Sequence, residues 1–115
     1  INTSDEREKQ QVGAIDAKVL KAWSNVNFVQ FKMNDAVEVK GDGARWHFGL
    51  VAQQVKTAFE AEGLDAFEYG LLCFDEWEDK SIAIADGEEY PKLTRYGIRY
   101  EEALALECAY LRSKV

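Results

Sequence analysis

The spacing of apolar and polar positions changes period several times along this chain, and each change marks an element. From Gln10 to Ser24 the apolar residues Val12, Ile15, Val19, Leu20 and Trp23 fall at helical spacing, with Asp16, Lys18 and Lys21 on the opposite face. This predicts an amphipathic helix over 10–24, ended by Asn25 and Asn27. From Val26 to Met33 the period drops to two, with Phe28 on one face and Val29, Phe31 and Met33 on the other, as in a strand. Val37 and Val39 continue the extended reading, Gly41-Asp42-Gly43 signals a turn, and Trp46, Phe48 and Leu50 alternate on the return. Residues 26–50 therefore predict a long β-hairpin, or a hairpin with an irregular tip, which projects from a small core.

Helical spacing resumes through Val51, Val55 and Phe59, and Glu62-Gly63 stops it. Tyr69 to Phe74 is short, apolar and strand-like, whereas Asp75 to Ile84 is ambiguous. Asp86-Gly87 and Pro91 mark a loop, Tyr96 to Tyr100 reads as a short strand or turn, and Tyr100 to Lys114 as a closing helix. In that helix Leu104, Cys108, Leu111 and Val115 follow a four-three-four spacing, the seam of a coiled coil. Ala103, Leu106 and Tyr110 form a second apolar stripe beside it. One stripe can face the core and the other a symmetry mate; a helix buried wholly within its own monomer is the alternative. The fold class expected is α+β, a single domain over 1–115 with amphipathic helices, a long projecting β-hairpin and a C-terminal helix.

Composition narrows the function. A chain of 115 residues with 47% apolar residues is one domain with a modest core. A net charge of −7 argues against a nucleic-acid partner. Between Glu60 and Glu89 there are eleven acidic side chains and one lysine, Lys80, the mark of a solvated face. Asp75, Glu76, Glu78 and Asp79 match no calcium-loop spacing, and no metal is expected. Cys73 and Cys108 lie in apolar runs and read as buried free thiols, with neither a disulfide framework nor a zinc site. There is no signal peptide and no membrane-length apolar stretch, so the expectation is a chain made in the cytoplasm with no membrane partner. Gly41 and Gly43 precede no helical Lys-Ser/Thr, which excludes a P-loop. The single His47 sits among alternating apolar neighbours and reads as a packing residue rather than a base, and one histidine supports no Ser-His-Asp set.

The candidate chemistry is at the amino terminus, in Ser4-Asp5-Glu6-Arg7-Glu8-Lys9. A serine becomes a nucleophile when a nearby base takes its proton, and a lysine that has lost its charge can be that base. Free lysine, with a pKa of about 10.4, is charged near neutral pH, so the base needs desolvation. The rival reading is a helix start, with Thr3 and Glu6 as a capping box and acidic residues in the first turn. The two readings are compatible if Ser4 sits at a helix start whose dipole helps an oxyanion.

Three motifs stand in order: the opening Ser4 to Lys9 segment, His47-Phe48-Gly49-Leu50-Val51-Ala52-Gln53-Gln54-Val55, and Tyr96-Gly97-Ile98-Arg99-Tyr100-Glu101-Glu102 running into Ala103-Leu104-Ala105. Over nearly its whole length the chain resembles the intramolecular chaperone domain of phage tailspikes, endosialidases and tail fibres, the peptidase S74 domain; a neck-appendage parent also suits. It departs from the family pattern at Glu8, where Leu is common, and at Gln54, where Glu is usual.

The resemblance implies a domain at the carboxyl end of a fibrous virion protein. It trimerises, guides three upstream chains into a β-helical stalk, and then cuts itself free. It implies Ser4 as nucleophile and Lys9 as base, with Asp5 supporting by orienting Lys9 or holding the peptide. Cleavage falls among Thr3, Ser4 and Asp5, and residues 1–3 become a stub of the stalk. Leu104, Cys108 and Leu111 are the expected trimer interface, and the hairpin over 26–50 an arm reaching back along the stalk. The expected partners are the homotrimer and the upstream stalk. The expected location is the host cytoplasm during assembly, with the parent protein in the virion tail or appendage. No cofactor is expected; ATP stays possible through a link in some relatives. The alternatives are a trimerisation module that does not cleave, and a nucleotide-assisted release domain.

Overall fold

The computed structural model describes residues 3–115. Ile1 and Asn2, part of the expected stub, lie outside the described residues. Among the described residues four helices and two antiparallel two-stranded sheets form the α+β fold: α1 (Ala17–Trp23), β1 (Val29–Phe31), α2 (Asn34–Lys40), β2 (His47–Gly49), α3 (Ala52–Ala61), β3 (Leu72–Glu78), β4 (Lys92–Ile98) and α4 (Tyr100–Ser113). Helices α1, α3 and α4 and the bases of both hairpins close around Trp23, Val55 and Phe59, which are almost wholly buried. Ala103 is fully buried on α4, where a side chain of that size lets the helix approach the centre. Trp23 meets Phe28 edge-on with ring centroids 6.2 Å apart, and Phe59 meets Tyr69 edge-on at 5.6 Å; both are favoured aromatic geometries.

The first helix begins at Ala17, not Gln10, because the Asp16 carboxylate accepts the Lys18 N–H and caps it there. Upstream, Gln11 has φ 54°, a left-handed conformation that no helix tolerates. The residues that carried the helical spacing backwards, Val12 and Ile15, are exposed.

The predicted hairpin over 26–50 is present only at its base. β1 pairs with β2 antiparallel, Val29 opposite Gly49 and Phe31 opposite His47. Its tip is not extended: α2 holds Val37 and Val39 in a helix, and a 3₁₀ turn at Gly41–Gly43 follows. Gly41 takes φ 54° at the end of α2, which suits glycine. The longer hairpin is the second. Leu72 to Glu78 pairs with Lys92 to Ile98 over seven registered positions. The ambiguous segment after Phe74 is therefore a strand as far as Glu78, and it is solvated because the strand leaves the core after Leu72. Outside the core, Trp77 packs under Arg95 (5.2 Å to the ring centroid) and Glu76 pairs with Lys92 at 3.2 Å.

With these arms and the exposed segment 3–16 outside the core, the molecule is extended. A compact chain of this length has a radius of gyration of about 13 Å; this one measures 18.6 Å, with extents of 56 × 41 × 35 Å. Its accessible surface of 9318 Å² is roughly half as much again as the ~6,400 Å² typical of a folded monomer of this mass.

Candidate functional site

Two regions bear on function: the amino-terminal segment and the outer face of α4. In the first, Lys9 Nζ donates to Ser4 Oγ at 2.7 Å. The residues predicted as base and nucleophile are thus within hydrogen-bond reach in one chain, and both are exposed.

The local chain explains how a five-residue step closes. Glu6–Glu8 forms a single 3₁₀ turn, with Glu8 N–H to Asp5 O at 3.1 Å and Lys9 N–H to Glu6 O at 3.2 Å. Its cap is Asp5 and not Thr3, since Asp5 Oδ1 accepts the Arg7 N–H at 2.9 Å. Three 3₁₀ residues carry no appreciable dipole, so the expected helix-start assistance to an oxyanion is absent.

Asp5 does not orient Lys9 as expected. Its carboxylate is held by Arg7, with Nε 3.2 and 3.1 Å from the two oxygens and Nη2 2.7 Å from Oδ2. The Arg7 side-chain hydrogen bonds, and then its backbone N–H, hold the Asp5 carboxyl below its ordinary range. The same pairing raises Arg7. Arg7 was not among the site residues expected from the sequence. The signal was present as an Asp-x-Arg step inside the motif, at a spacing compatible with a capped turn.

On α4 the two apolar stripes part company. Ala103 is buried, and Leu106 and Tyr110 pack on the core. Leu104 and Leu111 are 55% and 57% exposed, and Cys108 and Val115 are exposed in line with them. Cys108 is therefore not the buried thiol expected. Cys73 is half-buried on β3, where Gly97 opposite leaves room for its sulfur: a Cβ on Gly97 would stand 2.9 Å from Cys73 Sγ.

The other motif residues serve the fold. Tyr100 Oη accepts the Leu50 N–H at 3.0 Å, tying α4 to the first hairpin. A Cβ on Gly49 would collide with that hydroxyl, which accounts for a glycine in the central motif. His47 is exposed and stacks on Phe31, ring centroids 6.0 Å apart. Among the described residues no three His, Cys, Asp or Glu side chains cluster as a metal site, and no helix is long and apolar enough to cross a membrane.

Residues 4–64, just over half the chain, match the family model of the endosialidase chaperone, peptidase S74. The tail spike protein of Escherichia virus K5 is 51% identical over 98% of this chain, and depolymerase 1 of Klebsiella phage KP32 is 38% identical over 98%. This chain spans only 18% and 11% of those proteins. A crystal structure described as a novel intramolecular chaperone superposes with a TM-score of 0.84 at 45% identity, covering 96% of this chain and 97% of that one. The carboxy-terminal domain of the bacteriophage T5 L-shaped tail fibre with its intramolecular chaperone domain superposes with a TM-score of 0.69 at 27% identity, over 99% of this chain and 30% of that one.

Proposed function

This chain belongs to the chaperone-of-endosialidase family, peptidase S74, the intramolecular chaperone domains of phage tail spikes and fibres, and we propose from that premise that it assembles as a homotrimer, guides an upstream fibre segment to its fold, and then cuts itself off with Ser4 and Lys9. The observation that carries the cleavage reading is the 2.7 Å contact between Lys9 Nζ and Ser4 Oγ.

In the reaction we infer, Lys9 takes the Ser4 hydroxyl proton and Oγ attacks the Thr3 carbonyl carbon. The C–N bond between Thr3 and Ser4 breaks as the acyl group moves to oxygen, and the freed Ser4 nitrogen takes up the proton. Water then hydrolyses the ester and regenerates the hydroxyl. No cofactor enters this sequence, so added ATP is expected to leave the rate unchanged. A lysine acting as base has to be neutral, and a desolvated assembly favours that form. In the single chain Lys9 is exposed. Burial on assembly would therefore delay the cut until the trimer exists, in the host cytoplasm, before the released domain leaves the virion fibre.

The proposed trimer seam is Leu104, Cys108, Leu111 and Val115, a coiled-coil spacing left exposed by the single chain. The large accessible surface supports the same reading. A terminal trimer raises the local concentration of three upstream chains and sets their register, which slow, long-range β pairing needs. The two hairpins are the proposed arms toward the stalk. Deleting residues 33–45 is expected to leave the assembled mass intact and to lower the yield of folded stalk; a normal yield would confine this arm to a structural role.

The test of cleavage is a precursor carrying part of the stalk, followed on denaturing gels. Wild type is expected to release the domain, and Ser4→Ala and Lys9→Ala to stay intact. Normal release from either variant contradicts the dyad.

A further inference from the structure

Five fully extended steps from Ser4 to Lys9 would span about 17 Å, beyond the reach of a lysine side chain. The 2.7 Å contact therefore depends on the turn between them. That turn is three residues long and buries no side chain, and so short a 3₁₀ segment has little stability of its own.

What constrains it is one carboxylate. Asp5 accepts the Arg7 backbone N–H at 2.9 Å, which caps the turn, and the Arg7 guanidinium through Nε at 3.2 and 3.1 Å and Nη2 at 2.7 Å. Backbone and side chain of one residue thus grip the same acid. A planar fork on a carboxylate fixes direction as well as distance, which a lysine cannot reproduce. The Arg7 side chain is 84% exposed, and exposed ion pairs add little to global stability. Its consequence is therefore local: it restricts the conformations of the six residues that carry the reactive pair.

We propose that Arg7 is a positioning residue, whose clamp on Asp5 sets the turn that brings Lys9 onto Ser4. The proposal rests on the Ser4–Lys9 reading, and its test separates the two. Cleavage rates are measured on the assembled, stalk-bearing precursor of Arg7→Ala, Arg7→Lys, Asp5→Ala and the Asp5→Ala/Arg7→Ala double variant, with Ser4→Ala and Lys9→Ala alongside. Misplacing a reacting group by an ångström costs up to a hundredfold, so Arg7→Ala is expected to cut about 10- to 100-fold more slowly. Arg7→Lys, which keeps the charge without the fork, recovers part of that loss. The double variant is no slower than the slower single, because the two residues act as one unit. Assembled mass and unfolding midpoint stay at the wild-type values throughout. The proposal is overturned if Arg7→Ala cuts at the wild-type rate while Ser4→Ala and Lys9→Ala are inert, if the two losses multiply in the double variant, or if Arg7→Ala loses its assembled mass. Normal cutting by Ser4→Ala removes the dyad, and the clamp's purpose with it.

Discussion

The centre of this molecule and its amino-terminal segment reach defined geometry by opposite means. Trp23, Val55 and Phe59 are held by burial and need no polar contact to stay in place. Ser4, Asp5, Arg7 and Lys9 have no such burial, and their arrangement consists of hydrogen bonds made in water across six residues. Burial gives an arrangement that survives assembly and release unchanged. Hydrogen bonds in water give one that a new environment can alter, which suits a site whose proposed moment of action is set by assembly. The outer face of α4 lies between these extremes, being apolar yet exposed in the single chain.

The comparison breaks most forcefully at the core. Phe59→Ala removes a ring that is fully buried, and such truncations cost about 3–5 kcal/mol. Denaturant unfolding is expected to show most of the domain's stability gone; a loss under ~1 kcal/mol would mean that the centre is not packed as described. The seam should respond differently. Leu104→Ser with Leu111→Ser is expected to reduce the mass seen by light scattering from three chains to one, and to abolish the dependence of the unfolding midpoint on protein concentration. Circular dichroism of the diluted chain should be unchanged, since both side chains are more than half exposed. A trimer that survives both substitutions would place the interface elsewhere.

The smallest effect is electrostatic. Arg7 holds the Asp5 carboxyl below its ordinary value of 3.8. A depressed carboxyl pKa contributes above the ordinary value and loses its contribution as pH falls through the folded one. The pair should therefore be intact at pH 5 and above, and be lost only below 3.8. A carboxyl NMR titration is expected to give Asp5 a midpoint under 3.8, returning toward it in Arg7→Ala. An unshifted wild-type midpoint would show that the fork does not form in solution.

Sequence alone made the closing helix legible almost to the residue, because its periodicity is sustained over Tyr100–Ser113 and two stripes define its faces. Helix α3 was equally clear, with Gly63 at φ 74° just past its end. The first helix was drawn too long because Val12 and Ile15 fit its spacing by chance, whereas the Asp16 cap decides the start. Helix α2 left no signal, since it buries no residue and so has no amphipathic pattern to show. Of the second hairpin only the core ends, within Tyr69 to Phe74 and Tyr96 to Tyr100, are legible as strands, and the outer part leaves no signal for a related reason. An arm with solvent on both faces needs no alternation, and its charged positions suit water on either side. At the candidate site the Ser4–Lys9 step was visible in the spacing. Two cations, Arg7 and Lys9, lie within reach of Asp5 in sequence, and the geometry shows that its carboxylate holds the first, which speaks against orienting Lys9 directly and leaves holding the peptide.

The most direct measurement is the intact mass of the fragments from a stalk-bearing precursor, wild type and Ser4→Ala, allowed to assemble before denaturation. The expected wild-type products are a stalk ending at Thr3 and a released domain beginning at Ser4, with Ser4→Ala uncut. An uncut wild-type precursor, a terminus away from Ser4, or the same fragments from Ser4→Ala would contradict self-cleavage by Ser4 and Lys9.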